Sequence, residues 1–367
     1  MIEIQQLNKR QLSAFVHSES FRNLPNLPIS IHRAKAHERN PRADEDDTLL
    51  ILAWLDGELV GYLGVLPDRY FMKQNLSVKC GWLSCLWVSD QHRGKSIAKL
   101  LVSKGVEAIN GQVLLTEFTP QAKQLYDKSG FFSDLQIRPG IRLYYRLELH
   151  RLLAPKRAFF ERIKPVLRAI DAIGNVAIDA FAGLRSPKKT LATWEKVSEI
   201  SPDIQRFITS TQQTGLFQRD QTALNWALQN PWVLAAKPDE MSRRYYFSSI
   251  DRSFDFVCLK VYDAEMQLRA FLILAKRHRN LKLPYCFLTN GAAELASEAI
   301  DWYIKHWGVN TFSTFHSEMV QHYQTNRTFA LHKKAIKRQY IATKGMTESL
   351  AGYNFNIQDG DGDCFFT

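Results

Sequence analysis

The chain has 367 residues, 45% hydrophobic and 12% aromatic, with a formal charge of +11. That length exceeds one ordinary core and predicts two domains, and the composition excludes a disordered chain. The positive balance suggests polyanionic partners, and phosphorylated small molecules, nucleic acid and membrane surfaces all satisfy it.

Residues Asn8 to Ser18 and Ser30 to Arg39 predict short helices. Leu49 to Leu55 and Glu58 to Leu66 predict two strands joined at Asp56-Gly57, a pair that tolerates the positive φ of a tight hairpin. Trp82 to Val88 is apolar almost throughout and predicts a central strand, and Ile97 to Ile109 a helix with apolar residues at helical spacing. Gln112 to Phe118 follows as a strand. Thr119-Pro120 and Gly130 bracket the next helix with a cap, a first-turn proline and a terminating glycine. Ile141 to Leu149 alternates as a strand. The order is that of a mixed α/β (α+β) domain over residues 1–150.

Residues 151–190 hold nine Lys/Arg against three Asp/Glu, a net +6. They predict a basic helical connector, interrupted at Pro165, Gly174 and Gly183, with Phe159, Phe160, Ile163, Val166, Leu167 and Ile170 packing between domains. Ser186-Pro187-Lys188-Lys189 marks a boundary. Residues 191–367 then predict helices at 203–213, 220–229 and 292–306 among strands at 243–249, 254–263, 268–277, 281–289 and 311–316 and later strand-like segments up to Ile341. The order repeats the first half.

Leu86-Trp87-Val88-Ser89-Asp90-Gln91-His92-Arg93-Gly94-Lys95-Ser96-Ile97-Ala98 carries the clearest chemistry. A buried strand ends, a polar loop follows, and a helix begins at small residues. Unpaired N–H groups and the helix dipole make such a turn an anion site. On these residues alone the site is no more specific than that.

Arg93-Gly94-Lys95-Ser96-Ile97-Ala98 resembles the Arg/Gln-x-x-Gly-x-Gly/Ala motif of the GNAT acetyltransferases, with Ser96 in place of the first glycine. Ala122 to Phe132 is similar to that family's Asn-x-x-Ala-x-x-Leu-Tyr-x-x-x-Gly-Phe signature, with Thr119 in place of the asparagine. The resemblance spans about residues 1–150. It implies a central mixed sheet flanked by helices, with two parallel strands splaying around the pantetheine arm of acetyl-CoA or another acyl-CoA. It further implies backbone contacts from Leu86, Trp87 and Val88, a pyrophosphate cradle over Arg93, Gly94, Lys95, Ser96, Ile97 and Ala98, and Tyr126 as the acid that protonates the departing thiolate. Glu117 is the candidate base. Direct transfer to a primary amine needs no covalent enzyme intermediate, so Cys80 and Cys85 read as core thiols.

The second half predicts a GNAT-like fold without the phosphate loop. Its turn Asn290-Gly291-Ala292-Ala293-Glu294 has no cation, and Glu294 would repel phosphate. Phe217 to Trp232 is similar to a short segment of tandem-GNAT proteins. No metal is expected: Asp359, Asp361 and Asp363 resemble the start of a calcium loop that has no closing glutamate, and His316, Glu318 and His322 do not form HExxH.

The five cysteines are scattered and form no CxxC, which favours a reducing compartment. The first residues lack a signal peptide's pattern and no run reaches a membrane span, so the expectation is a cytoplasmic protein. The expected partner is a small-molecule or peptide amine. Nucleic acid is set aside, and peripheral membrane contact stays open. Two other readings stand beside acyl transfer. One is a Fem-type aminoacyltransferase using aminoacyl-tRNA, and the other a non-catalytic binding protein that keeps the CoA fold.

Overall fold

The structure is a computed structural model that describes residues 1–72, 76–153, 157–184, 191–212 and 214–366. β1 (Ile2–Leu7) pairs antiparallel with β2 (Leu50–Leu55), and α1 (Lys9–His17), α2 (Glu19–Asn23) and α3 (Ile31–Glu38) lie between them in sequence. Asn8 and Gln11 form a capping box on α1, while Ser18 and Ser30 cap the next two helices. Asp56 and Gly57, at φ 50° and 82°, turn the chain into β3 (Glu58–Phe71). Then come β4 (Ser77–Val88), α4 (Ile97–Ala108), β5 (Val113–Leu115), α5 (Pro120–Ser129) and β6 (Phe132–Tyr144). The strand expected at Ile141 to Leu149 therefore starts earlier, at Phe132, and ends at Tyr144.

The chain continues through α6 (Leu149–Leu152), α7 (Ala158–Arg162) and α8 (Lys164–Leu184). α8 passes unbroken through Gly174, and Pro165 sits harmlessly in its first turn, contrary to the expected interruptions. The boundary expected at Ser186 to Lys189 lies outside the described residues. β7 (Thr193–Val197), α9 (Pro202–Thr211), α10 (Gln221–Gln229), β8 (Leu234–Ala235), α11 (Glu240–Arg244) and β9 (Ile250–Asp251) follow. The strand expected at Arg243 to Ser249 is absent: the Asp239–Ser242 capping box starts a helical turn there instead. The remainder is β10 (Phe254–Tyr262), β11 (Leu268–Arg277), β12 (Asn280–Leu288), α12 (Ala293–His306), β13 (Thr311–Thr314), α13 (Ser317–Thr325), β14 (His332–Thr343), α14 (Lys344–Ser349) and a 3-10 helix, Gly362–Phe366.

These elements form two compact units, each discontinuous in sequence. The first comprises Met1–Arg138, Glu199–Asp255 and Arg338–Thr367, and the second Pro139–Ser198 and Phe256–Lys337. In the first unit the strand order β1-β2-β3-β4-β5-β14 is antiparallel except where β4 runs parallel to β5. β2 is buried on both faces. Leu50, Leu52 and Tyr62 pack on the side of α1 to α3, and Ile51, Leu63 and Leu83 pack on Ile97, Leu101 and Val102 of α4. That double burial is why the sequence of this strand is apolar without alternation.

In the second unit the order is β6-β13-β12-β11-β10-β7, with β12 parallel to β13 and α12 covering the core. The first unit's succession β3-β4-α4-β5 thus recurs as β11-β12-α12-β13. The fold is a GNAT-type mixed sheet with flanking helices, followed by a second arrangement of the same order.

Candidate acyl-transfer site

The parallel pairing of β4 with β5 covers only Gly81↔Val113 and Trp82↔Leu114. Beyond it the two strands part, and two backbone irregularities mark the divergence. Cys85 on β4 has φ 54°, where the register against β3 shifts between Tyr62 and Gly64. Glu117 has φ 51° and lies past the end of β5. The strand expected to reach Phe118 is short because the chain turns out of the ladder there.

α4 begins just after β4. Gly94 sits at φ 85° and Ser96, the residue preceding the helix, at φ 61°. Ser96 makes no side-chain cap, so the first N–H groups of α4 have no side-chain acceptor from it. The left-handed backbone at Ser96 explains why a glycine suits this position in the motif it resembles.

An open cleft of about 1020 Å3 runs along this turn. Leu86, Trp87, Val88, Arg93, Gly94, Ser96, Ile97 and Ala98 line it, and Lys95 is exposed in the same loop. Lys99 and Lys128 add cationic character to its wall, which His92 also lines. Arg93 pairs with Asp90 at 2.6 Å, but both side chains are exposed, and such a pair contributes little and yields readily to a stronger anion.

Tyr126 lies on α5, which Thr119 caps by accepting from Ala122 N at 3.2 Å. It does not line the cleft. Its ring is 5% exposed and packs edge-on against Phe118 and Phe132. Burial first, then the charge of Asp363 and the Cys85 thiol, push its pKa upward, so the hydroxyl keeps its proton at neutral pH. Glu117 reaches Arg338 at 2.5 Å, and Arg338 also holds Asp359 at 2.8 Å. The expected base is therefore already engaged by a guanidinium.

Sequence reasoning missed three groups here. Asp363, in the 3-10 helix, has a carboxyl pushed up to about 7 by burial and then by the charge of Glu117, with Arg33 opposing. Arg33, 3% exposed, donates to Ser84 Oγ at 2.7 Å, Tyr245 OH at 2.9 Å and Cys85 Sγ, with the Trp232 ring 4.0 Å below it. Among the described residues no carboxylate forms a salt bridge with it. Tyr245 also donates to Cys85 Sγ at 3.6 Å. Cys85 is thus held by polar groups beside the splay, not within an apolar core as expected, whereas Cys80 is fully buried. These residues come from α3, β4, the 199–255 segment and the last residues, and no local motif joins them.

The calcium-like acids have other work. Asp361 accepts from Arg219 Nε at 2.9 Å, and the two other guanidinium nitrogens of Arg219 bind both oxygens of Asp68 at 3.0 and 2.9 Å. Among the described residues no three metal-binding side chains cluster.

Residues 13–131 match the model of the acetyltransferase (GNAT) family. The chain carries a GNAT domain. Among solved structures, the fold is similar to a probable N-acyltransferase from Enterococcus faecalis V583, at 11% identity and TM-score 0.54, covering 96% of this chain and 75% of that one. It is also similar to a GCN5-related N-acetyltransferase from Anabaena variabilis, at 11% identity and TM-score 0.53, covering 93% of this chain and 72% of that one. Likeness at this identity concerns the fold. A search of the curated proteins finds no match. The matched family is one of acetyltransferases. Among the described residues no helix is long and apolar enough to cross a membrane.

Proposed function

We propose that the chain moves an acetyl or other acyl group from acyl-CoA to a primary amine by direct transfer, at the splay between β4 and β5. The observation that carries this reading is the opening of the parallel pair beyond Trp82 and Leu114 onto a cation-lined cleft at the N-terminus of α4. Acetyl-CoA fits that chemistry. The N–H groups of the first turn of α4, with Arg93, Lys95 and the backbone at Gly94 to Ala98, would hold its pyrophosphate. Leu86, Trp87 and Val88 would offer backbone groups along the pantetheine arm. The bound thioester supplies the activated acyl carbon and a thiolate leaving group.

The residues of the chain then divide the proton work. The incoming amine forms the new C–N bond as the C–S bond breaks. In this reading Tyr126 gives its proton to the departing sulfur; burial keeps the hydroxyl protonated at neutral pH but also weakens it as an acid, so the transfer depends on the thiolate reaching it as the C–S bond breaks. The amine's surplus proton passes to a carboxyl. Glu117 can serve through water, while Asp363, near 7, has the better-matched basicity. The same reading keeps the chain in a reducing compartment, consistent with five free cysteines, and in the cytoplasm.

Calorimetry with acetyl-CoA tests the site, followed by thiol release with a panel of primary amines. One acetyl-CoA per chain and amine-dependent thiol release are expected. Absence of binding would sink the assignment.

A further inference from the structure

α8 presents its two faces in an unusual order. The side chains turned toward the rest of its own unit are largely polar. Asp171 accepts from the backbone N–H groups of Leu149 and His150 at 2.9 and 3.0 Å. Asn175 accepts from Leu147 N at 2.8 Å and donates to Leu147 O at 3.0 Å. Gly174 lies against Leu147, where an added Cβ would stand 2.5 Å from a methyl carbon, and Leu167 completes this side. Positions 167, 171, 174 and 175 share one face of a helix. The apolar stripe lies on another. Val166, Ile170, Ile173 and Val176 are 57%, 46%, 73% and 70% exposed. Phe159 of α7 is exposed as well. The apolar side expected to be packed is therefore largely in water, and only Leu167 of it is buried.

We propose that this stripe lies on the surface of an anionic lipid membrane. A helix with an apolar stripe and basic flanks that is anchored to its protein by the other face has the form of an interfacial helix. The charge selects the occupant. Residues 151–190 carry nine Lys/Arg against three Asp/Glu, and Arg157 and Arg162, which precede α8, and Arg168 in its first turns are exposed. Anionic headgroups complement that charge. A second copy packed through the same stripe about a two-fold axis would bring two such basic segments together, at a cost in repulsion. α8 has 21 residues and carries Asp171 and Asn175 on its inner side, so it lies along the surface and does not insert across it.

The full chain should co-sediment with vesicles of equal parts phosphatidylcholine and phosphatidylglycerol at physiological salt. It should do so far less with phosphatidylcholine alone. Ile173→Asp with Val176→Asp should weaken partitioning roughly tenfold or more while leaving the thermal midpoint near wild type, since both side chains are exposed. Arg157→Gln, Arg162→Gln and Arg168→Gln together should remove the preference for the anionic vesicles. Should the aspartate variant fold poorly, Ile173→Cys carrying an environment-sensitive dye should shift to shorter-wavelength emission on the mixed vesicles. No sedimentation with the mixed vesicles overturns the proposal. So does sedimentation that the aspartate variant retains, or no dye shift. A dimer broken by the same aspartates, or binding to RNA or DNA with none to vesicles, also overturns it.

Discussion

Tyr126→Phe is the sharpest test of the proposed chemistry because the structure predicts two outcomes that separate. The substitution keeps the ring between Phe118 and Phe132, at centroid distances of 6.1 and 5.5 Å, and so keeps the packing. Among the described residues the hydroxyl makes no hydrogen bond, so its removal orphans no partner. Stability should therefore stay within about 1 kcal/mol of wild type. Acetyl-CoA affinity should hardly change, because the hydroxyl acts on charge that appears only as the C–S bond breaks. Turnover should fall about 100-fold, or roughly 2.7 kcal/mol in the barrier. The assay is thiol release with a saturating amine, beside calorimetry for acetyl-CoA and a thermal melt. Unchanged turnover would remove Tyr126 from the mechanism, and lost affinity would give it a binding role instead.

At the phosphate cradle, Ser96→Glu should abolish acetyl-CoA binding by calorimetry, because a carboxylate would face the first turn of α4. Ser96→Gly should retain binding and raise stability by up to about 1 kcal/mol in a denaturant melt, since φ 61° suits glycine. In the buried triad, Arg219→Met should cost about 3–5 kcal/mol in the same melt by removing the guanidinium that binds both Asp68 and Asp361, and a loss below 1 kcal/mol would count against it. Asp363 gives a pH signature. Its folded pKa, near 7, lies above the unfolded value, so the native state holds a proton that the unfolded chain has released between about pH 4 and 7. Its contribution is complete below pH 4 and is lost as pH rises to 7. Asp363→Asn should flatten that part of the stability curve, and identical slopes would refute the assignment.

What the sequence disclosed and what it hid divide along chain distance. The run from Leu86 to Ala98 is continuous, so strand, loop and helix could be read together, and Ser96 marked the place where the backbone is left-handed. The Asp56-Gly57 hairpin and the Thr119, Pro120 and Gly130 signals of α5 were legible for the same reason. β5 was drawn too long because the positive φ of Glu117 has no signature in a run of apolar residues. Arg33, Tyr245 and Asp363 were invisible as a group, since each is an ordinary residue locally. Asp359 and Asp361 misled in the opposite way. Their spacing suggests a cation loop, but the cations that answer them are Arg338 and Arg219, the latter more than a hundred positions away. Nor could local pattern show that residues 199–255 and 338–367 return to the first unit.

The positive balance of the chain shows why charge must be read where it sits. A total of +11 is compatible with coenzyme A, nucleic acid or lipid, and decides nothing among them. At the cleft Arg93 is already paired with Asp90, so the proposed anion site leans on the backbone N–H groups and the geometry of Ser96 as well as on Lys95, Lys99 and Lys128. The +6 of residues 151–190 stands apart from that cleft in sequence and falls beside an apolar stripe. The second succession, β11-β12-α12-β13, adds a control built into the same chain. Its turn has Gly291 at φ 77° but places Glu294 in the first turn of α12 and carries no cation there. Among the described residues this succession of parallel strands and helix N-terminus occurs twice, and the proposed pyrophosphate site is assigned to the copy without an acid in the first turn.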